Sequence, residues 1–302
     1  MHPTHTPPDS GAMSPRHEPH GWFRGVLPAL VGCLWIASLP ARACPWPSPV
    51  VREPIWILAA PHFAAVTRSA VVRRLFARGT VLEPVGPRER PSRRLPVLPT
   101  AVFHNERLFA RTVDALASRG IRAVLYDNER FATTPPREQQ DPRLYDTRFA
   151  ALARRRGLLS VCDLILPDRL PPGERTPRAE VPPCAVVGLN TVQQSERDPR
   201  RYIQRVRRLV AIVRRLRPHV PIVAGISSNP RGPRVSPRTL ARDMRLASPY
   251  VQGFWLNVPA PGVGCPRCRR PRPAVLARAL TLAAHGLRFV FNRSATPTQN
   301  QP

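Results

Sequence analysis

Lysine is missing from this chain. All 47 basic residues are arginine, and 19 acids oppose them, for a formal net charge of +28. Aromatic residues make up only 6% of the sequence. None is interleaved with the runs Arg73-Arg74, Arg154-Arg155-Arg156, Arg207-Arg208 and Arg214-Arg215, so a base-stacking surface lacks its usual composition and no specific nucleic-acid partner is expected. Neither a Gly-x-Gly-x-x-Gly turn nor a Walker sequence occurs, which leaves a nucleotide site of either type without support. A Gly-x-Ser-x-Gly elbow is absent too, and with it the usual sign of a serine hydrolase. The mostly apolar run Val26–Leu39 is too short for a membrane-spanning helix.

What is present points to an exported α/β protein. The net charge has two readings: attraction to an anionic polymer or lipid, or an arginine-biased composition spread over solvated helix faces. Arg16 and Arg24 precede Val26–Leu39, Pro40 breaks it, and Ala41-Arg42-Ala43 has the form of a cleavage site. Residues 1–43 therefore read as a signal peptide, the alternative being an apolar first helix of a cytoplasmic protein. Cys44 directly follows and is the candidate for lipidation, so the product is expected to be secreted or lipid-anchored at the cell surface. Residues 44–54 form a Pro-rich linker and residues 294–302 a polar tail.

Between them, periodicity predicts eight strands: Ile55–Ala60, Thr100–His104, Ile121–Tyr126, Leu158–Leu164, Ala185–Leu189, Val220–Ile226, Val251–Val258 and Leu287–Phe291. Amphipathic helices separate most of them. Thr80–Leu98 reads as a long basic loop, Ile165–Pro183 shows no clear helix, and none follows the last predicted strand. Alternation of this kind implies a parallel sheet, and eight units over 55–293 suggest a single (β/α)8 TIM-type barrel, with an open sheet as the alternative.

In such a barrel the site lies at the C-terminal strand ends. Those ends carry His104 and Asn105, Tyr126 with Asp127 and Glu129, Asp163, Asn190 with Gln193, Ser227 with Asn229, and Trp255 with Asn257. Asp127 and Glu129 are two apart, so on an extended strand they share a face, and two neighbouring carboxylates push one pKa upward. The competing reading is an acidic loop paired with arginines. Amides for hydroxyls, an indole for a ring face and carboxylates for proton transfer are what a sugar site uses.

At these residues the chain resembles the chitinase-like glycoside hydrolases. In that family a barrel strand ends in Asp-x-x-Asp-x-Asp-x-Glu, the Glu acting as general acid and the Asp before it orienting the substrate's acetamido group. Glu129 matches the acid and Asp127 the orienting Asp. The two earlier positions are Leu125 and Arg122. The match falls on the third predicted strand, where the family uses the fourth, and Trp255 resembles the family's late-strand Trp. The strand-end reading takes a saccharide or cell-wall polymer as ligand, with His104, Asn105, Tyr126, Asn190, Gln193, Asn229, Trp255 and Asn257 as binding residues. The larger retaining clan fits less well, because its late Glu would fall at Asn257. A non-catalytic saccharide-binding barrel and an anionic-polymer binder are the alternatives.

Of the cysteines, Cys265 and Cys268 form a C-x-x-C that reads as a local disulfide in an exported chain, with a zinc half-site or a redox pair as alternatives. A Cys162–Cys184 bridge is not expected, because the predicted strands place them at opposite ends. No cofactor or metal is expected, and the chain is expected to be a monomer.

Overall fold

The computed structural model describes residues 49–85, 97–128, 133–164, 181–228, 234–261 and 270–289. The signal peptide, Cys44, Glu129, Asn229, the Cys265–Cys268 motif and the polar tail all lie outside these residues.

Eight parallel strands close into a barrel in chain order. They are β1 (Ile55–Leu58), β2 (Thr80–Pro84), β3 (Val97–Phe103), β4 (Ala123–Tyr126), β5 (Leu159–Asp163), β6 (Val186–Leu189), β7 (Ile222–Ser227) and β8 (Gly253–Asn257). The ring shuts where β1 pairs with β8, Ile55 opposite Gly253. A Cβ on Gly253 would stand 1.8 Å from the Ile55 carbonyl oxygen, so only glycine lets the two strands meet there.

The outer layer holds α1 (Ala60–Val66), α2 (Ala70–Ala77), α3 (Glu106–Ser118), α4 (Pro136–Gln140), α5 (Pro142–Arg155), α6 (Pro199–Leu216), α7 (Pro237–Ala247) and α8 (Pro273–Ala283). Proline opens α4 through α8, where its missing N–H has no helical partner to lose. Asn105, Asp141, Asp198 and Ser236 cap α3, α5, α6 and α7 by accepting from first-turn amides. Gly120 and Gly157, at φ of 70° and 64°, end α3 and α5 in the left-handed conformation.

Two parts of the sequence-based strand assignment need correction. Thr80–Leu98 is not simply a loop. It contains β2 and the start of β3, and Val81 and Leu82 are fully buried on opposite sides of the sheet. The predicted last strand is not one: Leu287–Phe289 carry no strand pairing, and Phe289 packs edge-on against Trp56, centroids 5.6 Å apart, outside the ring. The count of eight strands survives because the omission and the addition cancel. The predicted third strand, Ile121–Tyr126, consequently supplies the fourth strand, with Asp127 just past its end, and α8 supplies an eighth helix.

Side chains alternate across this sheet. Ile55, Ile57, Leu82, Ala123, Leu125, Val161, Val186, Val223 and Trp255 fill the lumen. Trp56, Leu58, Val187, Leu189, Ile222, Ala224, Phe254 and Leu256 pack outward under the helices. This alternation decides which strand-end residues face the mouth.

Candidate functional site

Following the alternation past each strand end gives the inner lining of the C-terminal mouth. On β3 the inward positions run from Leu98 through Thr100 and Val102 to His104. Val102 is 37% exposed although it faces inward, so the mouth is open to solvent at this level. The His104 ring nitrogen Nδ1 lies 2.7 Å from the Asp127 carbonyl oxygen. On β4 the inward series Ala123, Leu125 continues to Asp127, whose backbone N–H donates to Phe103 O at 2.9 Å. On β5, Val161 continues to Asp163. Leu125 pairs with Val161, so one more inward step puts Asp127 and Asp163 side by side, with the strands about 4.8 Å apart.

Asp163 ties this acidic side to the amides. Its Oδ1 accepts from the backbone N–H of Asn190 at 2.8 Å. Asn190 opens a 3-10 turn, Asn190–Ser195, at the end of β6. Gln193 Nε2 donates to Asn190 Oδ1 at 3.0 Å. Asn257 Nδ2, from the end of β8, lies 3.5 Å from Asn190 Oδ1 and 3.4 Å from Gln193 Oε1. These last two contacts are long for hydrogen bonds, so Asn257 is held weakly and can turn toward a ligand hydroxyl at little cost. Trp255 lies one inward step below Asn257 as a lumen floor, 7% exposed. A Cβ on Gly188 would sit 3.0 Å from the indole ring atoms, so the missing side chain on β6 is what admits the indole.

Asn190, Gln193, Trp255 and Asn257 are thus brought together, with His104 and Asp127 across the mouth. Asp163 has no role assigned from the sequence, yet it links the two groups. Tyr126 requires correction. It falls on the outward face with Val124, it is fully buried, and its ring stacks on Phe149 with centroids 4.8 Å apart. Its hydroxyl donates to Glu138 Oε2 in α4, and burial with Glu138 alongside raises its pKa. Asn105 uses its side-chain oxygen to cap α3, accepting from Leu108 N at 3.0 Å, which is a helix-starting role.

On the helix side of the sheet, buried acids hold Tyr126 and Asn128 at the end of β4. Glu138 Oε2 also accepts from the Glu106 backbone N–H at 2.9 Å. Burial, then the nearby Glu138, raises the Glu106 carboxyl above its usual range, and Arg148 partly offsets this. Asn128, between Asp127 and Glu129, points outward and donates to Asp146 Oδ1 of α5 at 3.3 Å. Burial holds the Asp146 carboxyl well above the ordinary range. A second buried pair lies behind β7. Glu196 Oε1 accepts from the Ser227 backbone N–H, and burial raises its pKa, with Asp243 of α7 adding to the effect. These acids sit on the helix side of the sheet, where no strand-end rule would have found them. Their one sequence signal is an acid at a core-facing helical position, which Asp146 and Asp243 both occupy.

The described residues hold no cluster of three or more His, Cys, Asp or Glu side chains fit for a metal ion. Cys162 and Cys184 form a disulfide, Cα–Cα 5.8 Å, contrary to the sequence expectation. The chain bends at Cys184–Ala185 before β6 begins, and this brings Cys184 over the outward face of β5, where Cys162 lies in the same buried cluster.

No protein-family model and no curated protein matches the chain. Among solved structures, it is similar to a glycoside hydrolase family 5 enzyme from Prevotella bryantii B14, crystallised as a point mutant in complex with a xyloglucan tetradecasaccharide. The identity is 10%, the match covers 72% of this chain and 86% of that one, and the TM-score is 0.39.

Proposed function

We propose that this chain is an exported barrel that acts on a saccharide or cell-wall polymer at its C-terminal mouth. Glu129 is assigned as general acid and Asp127 as the carboxylate that orients substrate or tunes the acid. The observation that carries this reading is the convergence of Asp127 and Asp163 with the Asn190, Gln193 and Asn257 amides above the Trp255 floor. Asp127 faces inward at the end of β4, and Glu129 follows it two residues on in the sequence. A second carboxylate nearby raises the pKa of its neighbour, the direction a general acid needs. The amides offer donors and acceptors to ring hydroxyls. Export is supported by the form of residues 1–43 and by the Cys162–Cys184 disulfide, a bond that persists in oxidising compartments.

The test is turnover on a panel of oligosaccharides and cell-wall polymers. Glu129→Gln is expected to lower the rate at least about 10²-fold, the usual contribution of a general acid. Asp127→Asn is expected to lower it while leaving binding largely intact. Hydrolysis by Glu129→Gln at the wild-type rate sinks the assignment. One observation favours a second reading. Leu125, at a position where the chitinase-like motif has Asp, is fully buried in the lumen, which fits a barrel that binds a saccharide without cleaving it. Retention on a glycan with no product distinguishes the two.

A further inference from the structure

The acids of the helices are not spread evenly around the barrel. Helices α6, α7, α8, α1 and α2 form one continuous arc, each touching the next or sharing α8. Together they hold a single acid, Asp243, which is fully buried, against thirteen arginines. The opposite arc, α3 to α5, carries Glu106, Asp114, Glu138 and Asp146. The helices of this arc therefore carry no exposed acid of their own, whereas α3 to α5 set seven arginines against four acids.

The lower end of this arc has a second property. Helices in a parallel barrel run against the strands, so their C-termini lie at the end opposite the mouth. Leu216 closes α6, Leu246 lies one residue before the end of α7, and Leu282 one before the end of α8. They are 48%, 38% and 40% exposed. Three large apolar side chains at one level on three neighbouring helices do not serve the core. Arg215, Arg245 and Arg288 lie among them and are exposed. Arg245 Nη1 donates to the Leu282 carbonyl at 3.1 Å, which fixes an arginine beside a leucine. At the same end, a recess of about 120 Å³ opens between α2 and the turn Ala284–Gly286. Arg74, Arg78 and His285 line it over Val71, Leu75 and Ala284.

Exposed leucines interleaved with arginines are the pattern of a surface that rests in a lipid interface. The apolar groups reach the acyl boundary and the guanidiniums meet headgroup phosphates. A nucleic acid would draw on the arginines and not on the leucines. We propose that this lower rim docks on an anionic phospholipid bilayer, with Leu216, Leu246 and Leu282 at the acyl boundary and one headgroup phosphate in the recess. The chain enters β1 from this same end, and the mouth at the other end then faces away from the bilayer.

The experiment uses the full chain and vesicles of phosphatidylcholine, alone or mixed with phosphatidylglycerol, at low and high salt. Anionic vesicles are expected to bind and neutral ones not, with binding weakened by salt. The triple variant Leu216→Ser/Leu246→Ser/Leu282→Ser is expected to partition at least about ten-fold less, because the interfacial apolar contribution is gone. Leu246→Trp gives a local readout that does not depend on the triple variant folding: brominated acyl chains are expected to quench the added indole. Equal binding of neutral and anionic vesicles, undiminished binding by the triple variant, or an unquenched Leu246→Trp overturns the proposal. So does duplex DNA bound equally by wild type and triple variant without vesicle binding, which would assign the arc to nucleic acid. Thermal protection by inorganic phosphate, with no vesicle binding, would make the recess a site for free phosphate and overturn it too.

Discussion

Asp243 sits fully buried in α7, and neither carboxylate oxygen has a hydrogen-bonding partner among the described residues. Burial pushes its pKa up to about 8, with Arg242 lowering and Asp198 raising it. The folded chain therefore keeps a proton that the unfolded chain releases above its ordinary value of 3.8. Where the folded state binds the extra proton, stability falls as pH rises, here from about pH 4 to about pH 8. Asp243→Asn, which stays neutral, is expected to match wild type near pH 4 and to exceed it at pH 8 in urea unfolding. Parallel pH profiles for the two proteins would show that Asp243 does not carry the effect. At this scale the sequence is informative wherever period-two alternation is applied strictly. Leu125 to Asp127 and Trp255 to Asn257 are inward steps legible from residue order alone. Tyr126 is misassigned because being polar and near a strand end is not the same as facing inward, and it shares the face of Val124. Asn105 is misassigned because an Asn just before an amphipathic run has a second vocation as a helix cap.

Among the elements, β2 and the β5–β6 connection are where local sequence falls short. The β2 strand is brief, ends in Pro84, carries Glu83, and leads into an arginine- and proline-rich tract. Its propensity is weak, and its strand character comes from pairing with β1 and β3 on either side. Leu287–Phe289 is the converse case: Leu287 and Phe289 alternate with Arg288 as a strand would, but β1 and β8 are already paired with each other, so no edge is left for another strand. The Cys162–Cys184 bridge could not be read from strand ends, because it depends on a bend before β6. It closes a loop with a sequence separation of 22, and loop closure of that size is worth about 3 kcal/mol through the unfolded chain. Cys162→Ala/Cys184→Ala is expected to lose roughly that much stability in denaturant unfolding. A double variant as stable as wild type would remove the bridge from the account of how β5 and β6 are held.

For the whole molecule, the α/β alternation that implies a parallel sheet was legible, whereas the count of eight that implies a ring came out right because the missed β2 and the added last strand cancel. The segregation of charge was not legible. The sequence shows arginine doublets in separate helices, and only the ring shows that α6 to α2 form one arc while the acids gather on α3 to α5. Like charges crowded on that arc repel, and salt screens exposed charges over about 10 Å or less at 0.1 M and above. The thermal midpoint is therefore expected to rise between low and moderate NaCl concentration. A falling midpoint would mean that ion pairs, not repulsion, dominate the surface. The central claim, that the mouth takes a sugar, is tested most directly by calorimetric titration of oligosaccharides into wild type and Asn257→Ala. Binding of at least one saccharide class to wild type is predicted, with affinity at least about ten-fold lower in Asn257→Ala through loss of a ligand hydrogen bond. Binding that is indifferent to Asn257→Ala, or no binding of any saccharide, would contradict it.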